Sequence, residues 1–272
     1  MQLYKRMISR IFSEKHPLRF VVSRIFLYSG IDLPFVLTFS RFLKVRTYFH
    51  ASSAAHKIFI GKYVPDLDIA VFKKYIQTDS TVFDVGANIG MFSAVAARLA
   101  PQGVVYAFEA TAKTFNYLTE NLRLNKVQNV YPVFAAVCNV TGFVSFFEHE
   151  QSHEQNYIAT KDAGTSTVPA LQMKKFADMA NVQNIDFLKI DVEGAELSVF
   201  ESMGDVLDKT AVIYFEYTNS ARYQYEPEEI FRLLKSYGFS IMIPELVGGD
   251  LQVTPYTDSS NNAGLNLLAI KS

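Results

Sequence analysis

The stretch Phe187-Leu188-Lys189-Ile190-Asp191-Val192-Glu193-Gly194-Ala195-Glu196, FLKIDVEGAE, decides the fold. Its first half is the apolar run of a strand buried on both faces, interrupted by one lysine. Its second half places three carboxylates within six residues. Moving an isolated carboxylate into a dry interior costs several kcal/mol even after relaxation. The acids are therefore expected at the end of the strand, on the rim of a pocket, where water, a cation or a ligand hydroxyl meets them.

Outward from this stretch, the chain alternates strand-like and helix-like pieces from Thr81 onward. TVFDVGAN reads as a strand and turn, and GMFSAVAARLA as a helix with Phe92, Val95, Ala96 and Leu99 on one face. VVYAFE is the second strand, followed by the helix TAKTFNYLTENLRLNK with Phe115, Leu118 and Leu122 in phase. NVYPVFAAV is the third strand, IDFLKID the fourth and AVIYFE the fifth. AELSVFESMGDVL and PEEIFRLLKSYG are helices, the latter with Pro227 in its first turn and Gly238 as C-cap. SIMIPEL and LNLLAIK close the chain as strands. Near-continuous apolar strands alternating with helices predict an α/β fold, a mostly parallel sheet covered on both faces. The stretch 142–170 breaks this rhythm: GFVSFFEH alternates like an edge strand, while HEQSHEQN and GTST read as loop. It is taken as an insertion near the active face.

Four of the strands end in an acid: Asp84, Glu109, Asp191 and Glu216. In an open parallel sheet the C-terminal strand ends share one edge, and ligands bind in the crevice there. Asp at a strand end also serves as a helix N-cap, which accounts for one such residue more readily than for four, two of them Glu. The first turn, DVGANIG, has Gly86 for the tight turn and Gly90 for close packing of the next helix, whose N-terminal amides face a ligand. Asn88 stands where a dinucleotide fingerprint has its second glycine, and a side chain there impedes a pyrophosphate. Glu109, at the end of the second strand, is placed to grip ribose hydroxyls. A nucleoside carrying positive charge instead of phosphates, such as S-adenosylmethionine, suits this acidic crevice.

VFDVGANIG, VVYAFEA, NLRLNKVQNV, FAAV and above all DFLKIDVEGAE resemble the FkbM family of S-adenosylmethionine-dependent methyltransferases, in order from Thr81 to Tyr217. The resemblance implies a Rossmann-like class I methyltransferase fold with a seven-stranded sheet, and O-methylation of a hydroxyl on a sugar, glycolipid or other small metabolite. It also implies that Asp84, Gly86, Asn88 and Gly90 surround the methionine end of the donor, that Glu109 holds its ribose, and that the Ala136 backbone lies by the adenine. The sequence departs from the family at Ala110, where FEP is usual, and at Met173-Lys174, where a Leu-Asp pair is usual.

Methyl transfer to an alcohol needs alignment and a base. Asp191 is the first choice, its pKa raised by crowding with Glu193 and Glu216, which complete the catalytic set. Lys189 is read as pairing with a carboxylate. Glu193 and Glu196 also suit the first turn of a helix. Asp191 and Glu193 could hold a divalent cation, but no histidine accompanies them and no metal is assigned. His149-Glu150-Gln151-Ser152-His153 fits the H-E-x-x-H pattern of zinc proteases; its polar continuation favours a loop that touches the acceptor.

At 272 residues the chain suits one large domain with an extension. The boundaries are set at 1–62 for a basic, aromatic-rich N-terminal extension and 63–272 for the methyltransferase domain. Cys138 is the only cysteine, which excludes an internal disulfide. Residues 1–62 carry eleven Lys and Arg against two acids, about +9, and the remainder carries about −10. The first part is therefore expected to be helical and to meet an anionic partner or pack on the main domain. No apolar run reaches the ~20 residues of a membrane-crossing helix. The expectation is a cytoplasmic enzyme, with peripheral contact at the inner membrane surface through residues 1–46 as one reading. The acidic catalytic half disfavours nucleic acid. A non-catalytic S-adenosylmethionine-binding or scaffold protein at a membrane is the alternative.

Overall fold

The computed structural model describes residues 16–29, 35–40, 43–47, 59–61, 65–148, 157–159, 164–217, 227–257 and 265–271. The N-terminal part holds helix α1 (Pro17–Ser29) and an antiparallel hairpin of β1 (Phe35–Ser40) and β2 (Leu43–Thr47). The described extension is thus helical only in part. Helix α2 (Asp66–Tyr75) leads into β3 (Thr81–Val85), α3 (Met91–Leu99), β4 (Val104–Glu109), α4 (Ala112–Leu124) and β5 (Val130–Phe134). After a short excursion come α5 (Met173–Met179), β10 (Ile185–Ile190), α6 (Glu196–Met203), a 3-10 turn (Gly204–Lys209), β11 (Thr210–Tyr217) and α7 (Pro227–Ser236). The chain ends in β12 (Phe239–Val247), β13 (Asp250–Pro255) and β14 (Leu265–Lys271).

The main sheet runs in the order β13-β12-β14-β11-β10-β3-β4-β5. β5, β4, β3, β10 and β11 are parallel, and β14 lies antiparallel between β11 and β12. This is the strand order of a Rossmann-like methyltransferase, with one addition. The sequence implied seven strands and the sheet has eight, because β13 folds back on β12 through Gly248-Gly249, both with positive φ. A Gly-Gly pair between two strand-forming runs is a strong local hairpin signal, and it stands in the sequence as VGGD.

Alternation along the central strands divides the core. Phe83, Leu188, Ile190 and Phe215 pack beneath α5, α6 and α7, whereas Val82, Phe187 and Val212 face α2 and α3. Asp84, Lys189 and Tyr214 follow the second set, in register across three adjacent strands. A row of polar groups therefore crosses the centre of the sheet beneath α2 and α3.

The excursion 142–170 forms a sheet of its own, together with the end of the third predicted strand. NVYPVFAAV divides at Ala135: β5 stays in the main sheet, and β6 (Ala136–Val137) joins β7 (Gly142–Phe147), β8 (Tyr157–Ile158) and β9 (Ser166–Leu171) in the order β6-β9-β7-β8. Two expectations are corrected here. GFVSFFEH is an inner strand rather than an edge, and Ser166-Thr167 of GTST begins β9 rather than a loop. The alternation was legible, but its partner strand lies 20 residues on, across a polar segment that gives no strand signal. His149 and His153 lie outside the described residues.

β2 is fastened to α4 by two asparagines acting as a substitute strand. Asn121 Oδ1 accepts from Arg46 N (2.6 Å) and its Nδ2 donates to Arg46 O (2.9 Å). Asn125 does the same to Lys44, at 2.9 and 2.6 Å. Four residues of helix advance about 6 Å and two residues of strand about 6.8 Å, so an i,i+4 pair can meet alternate residues of a strand edge. Asn121 Nδ2 also donates to Ile89 O (2.8 Å), inside the DVGANIG turn. Asn121→Leu leaves the Arg46 amide and carbonyl and the Ile89 carbonyl without these partners. It is expected to cost about 2 kcal/mol or more, read as a lowered urea midpoint at unchanged slope. A variant within about 0.5 kcal/mol of wild type contradicts the account.

Candidate active site

The C-terminal ends of β3, β4, β10 and β11 open into a cleft of about 470 Å³. Gly86, Asn88, Glu109, Ala136, Asp191, Glu193 and Glu216 line it. Asp84 and Gly90, expected in the same set, do not. Asp84 ends one residue short of the strand terminus and is 2% exposed. Gly90 has φ +80 and faces Leu118, which a Cβ would strike. Its role is to let α3 meet α4. A Cβ on Gly86 (φ +79) would collide with the Asp191 carbonyl, so this glycine joins the first turn to the end of β10.

The expectation that the strand-end acids avoid burial holds for Asp191, whose side chain is 42% exposed, but not for Asp84 and Glu109. Each buried acid is compensated in its own way. Glu109 Oε1 accepts from Thr111 N (2.9 Å), Thr111 Oγ1 (2.7 Å) and Thr114 Oγ1 (2.6 Å), while Oε2 accepts from Asn88 N (2.9 Å). Oε1 is saturated, so Oε2 is the oxygen with capacity for a ligand hydroxyl. Asp84 Oδ2 accepts from Ser93 Oγ (2.6 Å), and its Oδ1 lies 3.8 Å from Lys189 Nζ. Burial raises the Asp84 pKa, against the opposing field of Lys189.

Lys189 is 5% exposed, and its ammonium also donates to Asp191 Oδ2 at 2.9 Å. Burial alone would lower its pKa, but the fields of Asp191, Asp84 and Asp68 outweigh burial and the net shift is upward. Lys189 thus stays charged, with the Phe92 ring 5.4 Å from Nζ. Tyr214, its neighbour on β11, donates to Asp68 Oδ1 at 2.7 Å, and Asn266 Nδ2 reaches the same oxygen at 3.4 Å. Asp68, Tyr214 and Asn266 all line the cleft and escaped the sequence reading. Asp68 sits on a helix with no motif, Tyr214 reads as core, and Asn266 lies on the antiparallel strand.

Glu216, also in the expected catalytic set, lines the cleft beside Asp191. Its pKa is pushed up to about 7, first by burial, then by the charges of Asp191 and Glu196 and by a hydrogen bond with Asp191. Oxygens of Asp191, Glu193 and Glu216 lie within 4.8 Å of one another, a spacing that a hard divalent cation also accepts. Glu193 and Asn88 both have left-handed backbone, φ +53 and +50, uncommon for Glu. Glu196 is fully buried, and its Oε1 accepts from Gly194 N (3.1 Å), which ties the VEGAE turn to the start of α6. At the family departure, Met173 is buried and Lys174 pairs with Asp205 (2.7 Å) and Asp178 (3.4 Å), well outside the cleft lining.

The cleft fits a cationic nucleoside. Among the described lining residues five are carboxylates and Lys189 is the one cation. Asn88 Oδ1 is buried there without a donor among the described residues, which a ligand amine or hydroxyl would supply. Its volume lies within the roughly 300–1,000 Å³ of small-molecule sites.

Among curated proteins, the chain is 29% identical over 174 residues to Methyltransferase 1 of Beauveria bassiana, covering 55% of this chain and 66% of that one. It is 25% identical to the hexuronic acid methyltransferase AglP of Haloferax volcanii (62% and 67% covered). It is 23% identical to the 2-O-methyltransferase NoeI of Sinorhizobium fredii (64% and 79%). The matches thus span about two thirds of the first two relatives. A model of the methyltransferase FkbM domain matches residues 84–241, more than half of the chain. With the strand order, the glycine turn and the acidic cleft already in place, this match shows that the chain belongs to the FkbM family of S-adenosylmethionine-dependent methyltransferases.

Proposed function

We propose that the protein transfers a methyl group to a hydroxyl of a sugar, glycolipid or other small metabolite. The observation that carries this reading is the placement of Asp191 and Glu216 side by side in the cleft, with burial and neighbouring charges raising the Glu216 carboxyl to about 7. S-adenosylmethionine supplies a methyl on a cationic sulfur, which leaves as a neutral thioether. The chain's own residues supply the rest. Glu109 Oε2 and Asn88 Oδ1 are the acceptors for the nucleoside and methionine ends, and Ala136 borders the adenine. Glu216, once ionised, takes the proton as the hydroxyl oxygen forms its bond to carbon. Asp191 holds the other end of that proton's hydrogen bond, and Lys189 fixes Asp191. The names of two relatives, a hexuronic acid methyltransferase and a 2-O-methyltransferase, support a sugar-type acceptor.

A second reading concerns the N-terminus. No helix among the described residues is long and apolar enough to cross a membrane. On α1, however, Leu18, Val21, Val22 and Ile25 are exposed at i, i+3, i+4 and i+7, a single helical face, while Phe20 and Ser23 are buried behind it. With about +9 over residues 1–62, this face suits an anionic bilayer surface.

A carboxyl raised in the folded state binds its proton more tightly there than in the unfolded chain. Between about pH 4.5 and 7 the native protein therefore holds the extra proton, and Glu216 lowers stability as pH rises through that window. Glu216→Gln should flatten this decline. The rate of turnover should rise with pH around 7 and fall about 10²–10⁴-fold in Glu216→Gln, with S-adenosylhomocysteine affinity preserved by calorimetry. Asp191→Ala should likewise retain donor binding and lose turnover. A donor-binding protein with no turnover on any hydroxyl acceptor would be the scaffold alternative instead. Lys189→Met leaves Asp84 buried beside no cation, at a cost of about 3–5 kcal/mol near neutral pH. Part should return on acidification as the carboxylates protonate, measured by urea unfolding at two pH values. Flotation should recover the protein with phosphatidylglycerol vesicles but not phosphatidylcholine vesicles, and Ile25→Glu should abolish it. Concentration-dependent dimerisation without vesicle binding would assign the face to a second copy.

A further inference from the structure

The first turn of helix α2 contributes one carboxylate, Asp68, to the wall of the cleft. The helix itself is fastened by packing. Phe72, 1% exposed, meets the rings of Phe187, Phe92 and Tyr214, with centroids 5.0, 5.5 and 6.4 Å apart. Asp68 stands one turn before Phe72 on the same side of the helix, so the packing of Phe72 carries it to the sheet. There its Oδ1 accepts from the Tyr214 hydroxyl on β11 and from Asn266 Nδ2 on β14. A mere tether for α2 would add little to what Phe72 already does, and it would need only one of the two carboxylate oxygens.

Register places Asp68 beside Glu216. Asn266 is the direct cross-strand partner of Glu216, and Tyr214 stands two residues before Glu216 on the same face of β11. Directly opposed residues have Cβ atoms about 4.5–5.5 Å apart. Glu109 lies on β4, three strands from β11 and four from β14, which is roughly 14–19 Å at about 4.8 Å per strand. Asp68 therefore belongs to the acceptor half of the cleft and not to the end read as holding the nucleoside. Burial and the charge of Asp68 push the Tyr214 pKa upward, so the phenol keeps its proton and continues to occupy Oδ1. No other side chain among the described residues donates to Asp68, so Oδ2 keeps capacity for a ligand hydroxyl. Burial is the main cause that raises the Asp68 pKa, and a carboxylate short of water gains from such a donor.

We propose that Asp68 is a specificity residue that accepts from a second hydroxyl of the acceptor, so that the substrate is a vicinal diol and not a lone alcohol. The inference rests on the methyl-transfer reading and narrows it. Glu216 takes the proton of the hydroxyl that is methylated, and Asp68 Oδ2 accepts from the hydroxyl on the adjacent carbon. Two carboxylates linked through one cross-strand neighbour, Asn266, suit two donors a few ångströms apart. Two such bonds also fix the rotation of the acceptor, which the alignment of oxygen, methyl and sulfur requires. Asp68 lies outside the 84–241 span matched by the family model, so this selectivity belongs to a part of the chain that the match does not cover.

The test uses the full chain with methyl pyranosides (gluco, galacto, manno and rhamno) and their monodeoxy counterparts as probes. Binding to protein loaded with S-adenosylhomocysteine is followed by calorimetry and saturation-transfer NMR, and turnover by release of S-adenosylhomocysteine from the donor. At least one parent glycoside is expected to bind about tenfold or more tightly than the counterpart that lacks one particular hydroxyl. Asp68→Ala is expected to erase that difference and Asp68→Asn to reduce it, whereas loss of a structural tether would weaken both ligands alike. Donor affinity is expected to be unchanged in both variants, with near-UV circular dichroism reporting the native fold. No parent glycoside bound, no loss on removing any hydroxyl, or a loss that survives both variants would overturn the proposal. Weakened donor binding with glycoside binding intact would also overturn it, and would assign Asp68 to the donor's ammonium group. Glycosides bound with the expected dependence on Asp68 but never methylated, with no other hydroxyl methylated, would instead overturn the methyl-transfer reading and leave the anchor standing.

Discussion

The structure depends on one buried cation. Lys189 stands next to last in β10, between Leu188 and Ile190, and its ammonium lies between Asp84 on the neighbouring strand and Asp191 just past its own strand's end. A carboxylate as enclosed as Asp84 is tolerable only with such compensation, and an ammonium as enclosed as Lys189 only with carboxylates around it. Parallel register sets Asp84, Lys189 and Tyr214 side by side, so the pairing follows from the sheet itself. The same contact reaches into the cleft, because Lys189 donates to Asp191, which lines it.

Around that cation the site sorts its acids by environment. Glu109 is surrounded by hydroxyl and amide donors and has one oxygen with capacity left. Asp191 is half exposed and held by Lys189. Glu216 has lost most of its water, faces two other carboxylates, and keeps a proton near neutral pH. Similar functional groups a few ångströms apart thereby come to differ in solvation, in hydrogen bonding and in the charges around them.

The close approaches at the first turn follow the same economy of space. Gly86 brings the β3 turn against the Asp191 carbonyl, and Gly90 brings α3 against α4. Asn121 then links that turn to the N-terminal hairpin through the Ile89 carbonyl. The extension is thus hydrogen-bonded into the element that forms the donor cleft, a coupling that the composition of a basic, aromatic-rich segment does not disclose.

The sequence by itself determined the alternation of strands and helices, the acids at the strand ends and the tight glycine turn, because each is local. Apolar runs, strand termini and positive-φ glycines leave signals within a few residues. It also contained the Gly248-Gly249 hairpin and the i,i+4 asparagines, whose meaning becomes visible once their strand partners are known. Only the tertiary structure decided which acids are buried, that Asp84 answers Lys189 across the sheet rather than lining the cleft, and that burial beside other carboxylates raises the Glu216 carboxyl. Only it brought Asp68, Tyr214 and Asn266, far apart in the chain, to one oxygen atom. Burial, register and the field of neighbouring charges are sums over residues distant in sequence, so no short window of sequence contains them.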